Sequence, residues 1–229
     1  MLPVKAVLFD FDGTLVDSLP EIYGGVAKAV RSFGLEPPSK EEVAAMIGRG
    51  VTVLSERVCE RLGRSDPAFS KAMLDKILDC WAETNGRLIV FFPGVLDAIA
   101  ALRAKGVKTA LVTNKLRSLT LAFLKERGAD GYFDTVVAGD DCEHNKPAPD
   151  MLFKALKDLG CYASEAVMVG DSRNDALAAR AAGVTAALVE TGYNEGVGIA
   201  EWAREAGFSR VYPNARIVCE RIARLGSLG

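Results

Sequence analysis

At 229 residues, 49% hydrophobic and 25% charged, the chain can bury one sizeable core or a core with an inserted module, which excludes a disordered or low-complexity protein. A formal net charge of −2 supplies no drive toward a nucleic-acid backbone, and no run approaches the roughly 18 apolar residues that cross a bilayer. The expectation is therefore a cytoplasmic protein with neither nucleic acid nor membrane as a partner; monomer and homodimer are equally compatible with the chain.

The first apolar run, residues 4–9, is short and rich in β-branched and aromatic side chains, which predicts a strand buried on both faces. Asp10 stands at its C-terminal end, with Asp12 two residues on and the permissive Gly13 behind it. Helical periodicity then occupies residues 19–33, 40–47, 51–62 and 67–84, punctuated by Gly34, Gly48, Gly50, Gly63 and Gly86. Ser18 with Glu21 three residues later is a capping-box pattern at the first of these helices. No strand is evident in this stretch until residues 88–90.

From Pro93 onward the pattern alternates. Helices are predicted at 94–105, 118–127, 149–159 and 176–182, and strands at 107–112, 133–138, 166–169 and 184–189. A loop at 191–196 leads to a helix at 199–206, a short strand at 210–212 and an amphipathic helix at 215–225. Alternation at these lengths predicts an α/β fold, a Rossmann-like core with a mostly parallel sheet and an inserted helical cap. The expected division is a catalytic core of residues 1–15 and 91–229, with residues 16–90 as the cap. Such a cap lies over the C-terminal edge of the sheet, where it closes off water above Asp10 and Asp12.

Cys59, Cys80, Cys142, Cys161 and Cys219 have no metal-ligand or redox spacing, so free thiols in a reducing compartment are expected. His144 is the only histidine, which leaves no Cys/His zinc cluster; it reads as a loop surface residue. Trp81, Phe91, Phe92 and Trp202 read as core or hinge packing rather than stacking platforms.

Four strand ends converge on one edge and carry Asp10 with Asp12, Thr113 with Asn114, the loop bearing Lys146, and Asp171 with Asp175. This combination suits phosphoryl transfer. A carboxylate can attack phosphorus to form an aspartyl-phosphate, and an anion attacking an anion needs cations nearby. Mg²⁺ takes oxygen ligands, which Asp10, Asp171 and the Asp12 backbone carbonyl would provide. Lys146 would offset charge on the phosphoryl oxygens, Thr113 would donate to them, and Asp12 would exchange protons with the leaving group and then with water.

The motifs resemble those of the haloacid-dehalogenase-like hydrolase superfamily, in its helical-cap branch. Asp10-Phe11-Asp12-Gly13-Thr14 is similar to the D-x-D-G-T strand end, Thr113 to the Ser or Thr closing the next core strand, Lys146-Pro147 to the Lys before Pro, and Gly170-Asp171-Ser172-Arg173-Asn174-Asp175 to G-D-(S/T)-x-x-D. The resemblance implies Asp10 as nucleophile, Asp12 as acid/base with Thr14 helping to orient it, Asp171 as a magnesium ligand, and Asp175 acting beside the metal or through water. Asp12 sets the chain apart from the dehalogenases of that superfamily, which lack this carboxylate. No lysine among Lys28, Lys40, Lys71 and Lys76 has a context that marks the Schiff-base group of the phosphonatases.

Ile47-Gly48-Arg49-Gly50 between two cap helices, together with Asp17-Ser18 and Thr191-Gly192-Tyr193, is similar to the phosphoglycolate phosphatase subgroup. The glycines permit close approach to the site, and Arg49 would grip a substrate carboxylate. Thr14, Arg49 and Asn114 are thus the expected substrate-binding residues, and a small phosphorylated metabolite the expected partner. Pyrophosphatases, sugar phosphatases and β-phosphoglucomutase-like phosphomutases share the plan, and a binding or regulatory protein on the same fold is the non-enzymatic alternative.

Overall fold

The computed structural model describes residues 3–228. Its centre is a six-stranded parallel sheet with the order β5-β4-β1-β6-β7-β8, formed by β1 (Ala6–Phe9), β4 (Lys108–Val112), β5 (Thr135–Val137), β6 (Ala166–Gly170), β7 (Thr185–Val189) and β8 (Val211–Tyr212). Both faces are covered, as a parallel sheet requires. The pleat sends Val7 and Phe9 into one apolar layer and Ala6 and Leu8 into the other. The first layer is completed by α5 (Val95–Ala104), α6 (Arg117–Glu126) and α10 (Ala215–Leu225), the second by α7 (Asp150–Leu159) and α8 (Arg173–Ala182). A seven-residue helix, α9 (Ile199–Glu205), packs beside β7 and β8.

Register explains why the site forms where it does. Phe9 lies opposite both Leu111 and Val169, so Asp10 emerges level with Val112 and Gly170, one residue before Thr113 and Asp171. The Asp10 N–H still bonds the Val169 carbonyl at 2.9 Å, which holds the first site residue to the sheet. Because strands run outward on both sides of β1, the edge opens a crevice at that point, the usual ligand position in such sheets.

Between the first strand and α5 the chain builds four helices: α1 (Leu19–Ser32), α2 (Lys40–Ala44), α3 (Gly50–Arg61) and α4 (Pro67–Thr84). They share an apolar cluster of their own that includes Ile22, Val26, Leu54, Val58, Met73 and Ile77. α1 and α4 approach closely enough that a Cβ on Gly25 would stand 2.3 Å from the Trp81 ring, so only glycine fits there.

The two passages into and out of this insert are not plain connectors. β2 (Val16–Asp17) and β3 (Val90–Phe91) pair antiparallel, Val16 with Phe91 and Asp17 with Val90, and the strand expected at 88–90 lies one to two residues later. The capping box expected at Ser18 does not form, and the Ser18 hydroxyl is buried without a partner. Glu21 instead turns across to the end of α4, accepting from the Thr84 hydroxyl, from the Gly86 N–H at 3.0 Å and from the Leu88 N–H at 3.2 Å. A carboxylate close to three donors in the opposite passage satisfies more groups than one local cap would. Asp17 takes over at the helix start by accepting from the Leu19 N–H at 3.1 Å. Helix α8 begins three residues before the expected start, because Ser172 and Asp175 close its first turn. Among the described residues no helix is long and apolar enough to cross a membrane.

Candidate active site

Lys146 is the centre of the site. Its side chain is 2% exposed, and its Nζ donates to Asp10 Oδ1 at 2.8 Å, to Asp175 Oδ1 at 2.6 Å and to the Val112 carbonyl at 2.7 Å. All three ammonium hydrogens are thereby used. Burial alone would lower its affinity for a proton, but the charges of Asp10 and Asp175 outweigh burial and raise it, so Lys146 is a fixed cation. The peptide between Lys146 and Pro147 is cis.

The carboxylates around it are crowded. Ligand oxygens of Asp10, Asp171 and Asp175 all lie within 4.8 Å of one another. Burial raises the proton affinity of Asp10 well above the ordinary carboxylate range, and the charges of Asp175 and Asp171 add to it against the pull of Lys146. Asp171 is pushed up to about 7, chiefly by burial and then by Asp175, although hydrogen bonds from the Thr14 hydroxyl (2.7 Å, to Oδ1) and the Tyr193 N–H (3.0 Å, to Oδ2) favour its charged form. Space around Asp171 is reserved for it: a Cβ on Gly192 would fall 1.8 Å from Oδ2, and one on Gly13, at φ +86°, 2.7 Å from the same atom. Clustered hard oxygen donors with too much negative charge for one lysine are the donor set a small divalent cation fits.

The expected site residues separate into those brought to this cluster and those placed elsewhere. Asp10, Asp171, Asp175 and Lys146 meet there. Asp175 is engaged at both oxygens, by Lys146 and by the Ser172 N–H and hydroxyl at 3.1 and 2.7 Å, so it positions Lys146 as well as flanking the cluster. The Asp12 carboxylate stands outside the cluster, held at 3.0 and 3.3 Å by Lys115. Thr14, expected to orient Asp12, directs its hydroxyl to Asp171 instead. Thr113 lines the cleft above Asp10 and is 2% exposed.

Asn114 is expected to meet substrate, but its amide is already committed. Its Nδ2 donates to the Gly48 carbonyl at 2.9 Å and the Lys146 carbonyl at 2.8 Å, while Oδ1 accepts from the Lys146 N–H at 3.1 Å. It ties the loop between α2 and α3 to the Lys146 loop. That loop does dip to the site, since Ile47, Gly48 and Gly50 line the cleft. Arg49 does not follow them; it is exposed at the start of α3 and makes no hydrogen bond or ion pair among the described residues. His144 is exposed and faces Asp150 at 3.2 Å. Lys28 and Lys71 pair with Glu83 and Asp75 on the surface.

Two residues without an expected site role, Lys115 and Tyr193, belong to the site's surroundings, although the loop bearing Tyr193 is part of the subgroup resemblance. Lys115 follows Thr113-Asn114 directly at the sheet's edge, and that position is the signal that could have found it. Tyr193 links core and insert: its N–H binds Asp171, and its hydroxyl binds Asp17 at 3.0 Å and accepts from the N–H groups of Ser18 and Leu19. The cleft itself is small, about 50 Å³, with Asp10 and Asp12 on its floor and apolar side chains of the insert, Ile22, Leu54 and Trp81 among them, facing them.

Comparison with known proteins agrees with this geometry. A family model described as haloacid dehalogenase-like hydrolase matches residues 7–189. A plasmid-encoded phosphoglycolate phosphatase of Cupriavidus necator is 42% identical over 195 residues, spanning 84% of this chain and 83% of that one. Phosphoglycolate phosphatase 1 of Pseudomonas aeruginosa is 38% identical over 205 residues, covering 87% of this chain and 74% of its own. A crystal structure of a predicted phosphoglycolate phosphatase from Haemophilus somnus 129PT superposes with a TM-score of 0.88 at 28% identity, over 96% of this chain and 98% of that one.

Proposed function

The chain belongs to the haloacid dehalogenase-like hydrolase family, and we propose that it is a magnesium-dependent phosphatase that hydrolyses a small carboxylated phosphate monoester such as phosphoglycolate through an aspartyl-phosphate. The observation that carries this reading is Asp10 itself. It projects from the end of the central strand, 2.8 Å from a fully committed lysine and beside two further carboxylates, at the floor of a small cleft.

An Asp10 carboxylate oxygen attacks phosphorus while the bond to the ester oxygen breaks, and Asp12 delivers a proton to that leaving oxygen. Water then gives a proton back to Asp12 and attacks the same phosphorus, which breaks the Asp10–phosphorus bond and frees phosphate. Asp10, Asp171 and the Asp12 carbonyl would hold the magnesium ion. When bound, the ion supplies positive charge to the carboxylates and to the phosphate. Lys146 holds Asp10 in place and adds a fixed positive charge beside the phosphoryl group, and Thr113 lies where its hydroxyl can donate to a phosphoryl oxygen. Helices α1, α3 and α4 and the loop before α3 line the cleft with apolar side chains, which limits the access of water.

The test is phosphate release with magnesium across phosphoglycolate, pyrophosphate, hexose phosphates and nucleoside monophosphates, for the native chain and for Asp10→Asn. A preference for phosphoglycolate, with turnover lowered on the order of 10³-fold or more in folded Asp10→Asn, is expected. Undiminished turnover in the variant would remove Asp10 as nucleophile, and a clear preference for another substrate in the panel would replace the carboxylated ester.

A further inference from the structure

We infer that Lys115 is the residue that reads the substrate's carboxylate, so that the core, and not the helical insert, supplies the charge selectivity of the cleft. The inference rests on the proposed hydrolysis of a small carboxylated phosphate ester and names the group that recognises its second anionic pole.

Lys115 and Lys146 are both close to the reacting carboxylates but differ in what they have left to offer. Lys146 has given all three hydrogens to protein atoms and stays behind Asp10. Lys115 lines the cleft, and the protein atoms its Nζ reaches for hydrogen bonding are the two oxygens of Asp12, at 3.0 and 3.3 Å. A single carboxylate leaves an ammonium with donor capacity to spare. The side chain is only 10% exposed, so bulk water does little to satisfy that capacity. The Phe11 and Trp81 rings stand 5.8 and 5.9 Å from Nζ and hold the ammonium at the boundary between core and insert. Among the described residues lining this cleft Lys115 is the one cation; Asn114 beside it has its amide committed, and Leu116, Leu119 and Ile22 are apolar. In such surroundings an arriving carboxylate finds one charged partner, and the pairing is stronger than it would be in water.

With the phosphate over Asp10, the carboxylate end of a short ester meets Lys115 and takes over from Asp12 as its partner. Asp12 is then free to turn to the ester oxygen. A neutral group in the same place leaves Lys115 paired with Asp12 and Asp12 turned from the ester oxygen, which penalises uncharged esters.

The experiment compares phosphoglycolate with 2-hydroxyethyl phosphate, in which a hydroxymethyl group replaces the carboxylate, using native protein, Lys115→Met and Lys115→Arg in magnesium buffer. The native chain should favour phosphoglycolate. In Lys115→Met the ratio of the two kcat/KM values should fall by about 10- to 100-fold, mostly through KM for phosphoglycolate, and Lys115→Arg should restore part of it. Equal losses on both esters would overturn the inference and leave Lys115 as a group that only holds Asp12. If Lys115→Met does not fold, inhibition of the native chain decides: glycolate should inhibit far more strongly than ethylene glycol, and equal inhibition would overturn the carboxylate contact. A native chain without preference for the carboxylated ester would overturn the proposed substrate class and this anchor together, whereas a native preference that survives in Lys115→Met would overturn the anchor alone.

Discussion

The two walls of the cleft are built on opposite principles. On the sheet side each charged group is fixed by partners far away in sequence: Lys146 by Asp10 and Asp175, Asp171 by Thr14 and Tyr193, Asp12 by Lys115. On the insert side the lining is apolar or glycine, and no charged residue of α1–α4 faces this cleft. The sheet side holds charged groups in place at a high cost in buried charge, and the insert side lowers the local dielectric so that those charges interact strongly. On the proposed function, reaction chemistry and charge recognition both belong to the sheet, while the insert contributes size and dryness.

The largest break in that comparison should come from Lys146→Met. The substitution keeps much of the volume but leaves Asp10 and Asp175 buried beside each other without a cation. Removing one member of a buried ionic network costs about 3–5 kcal/mol, and here two carboxylates lose the same partner. Urea unfolding should show a loss of that size, with kcat lowered about 10²- to 10³-fold in the protein that remains folded. A variant as stable as the native chain would mean that the carboxylates shed their charge at little cost, and the sheet side would then be no more constrained than the insert side.

A second effect follows from the crowding itself. Burial and Asp175 push Asp171 up to about 7 from an ordinary 3.8, and Asp10 moves in the same direction. In metal-free protein the folded state therefore binds more protons than the unfolded state across the interval from about 4 to about 7. The stability from these groups is fully present below the lower value and is lost as pH rises through the higher one. Melting of chelator-treated protein should show a falling contribution between about pH 4 and about pH 7, steeper than in Asp171→Asn, and magnesium should reverse the fall because it binds the ionised carboxylates. A flat or rising profile in metal-free protein would show that the cluster carries its full charge without a cation.

How far these walls were legible in the sequence differs in the same way. Strand β1 with Asp10 at its end, the alternating helices and strands after Pro93, and α4 and α10 to the residue all follow from short-range hydrophobic pattern and glycine punctuation. Lys146 and Asp171 carry their context in neighbouring residues and were legible through motifs. Glu21 was not. Ser18 and Glu21 satisfy a local rule, but three donors at the far end of the insert outcompete it, and partners 63 to 67 residues away leave no periodic trace. Lys115 was missed for the same reason: a lysine after a strand reads as solvated until Asp12, 103 residues earlier, is brought beside it. The commitment of Asn114 to Gly48 and Lys146 likewise depends on two loops that meet only in the fold.

The smallest expected effect is the one that separates the two walls most sharply. Glycines on both sides of Arg49 let its loop reach the cleft, which makes the arginine look like a clamp for a substrate anion. In the structure the same backbone that brings Gly48 under the Asn114 amide turns the Arg49 side chain to solvent, where a charge contributes little to binding a group it does not touch. Arg49→Ala should therefore change kcat/KM for phosphoglycolate by no more than about twofold and leave its preference over 2-hydroxyethyl phosphate intact. A loss matching that of Lys115→Met would require the loop to reverse its side chains when substrate binds. The carboxylate pole would then belong to the insert, and the division of charge to the sheet and apolar enclosure to the helices would fail at its most exposed point.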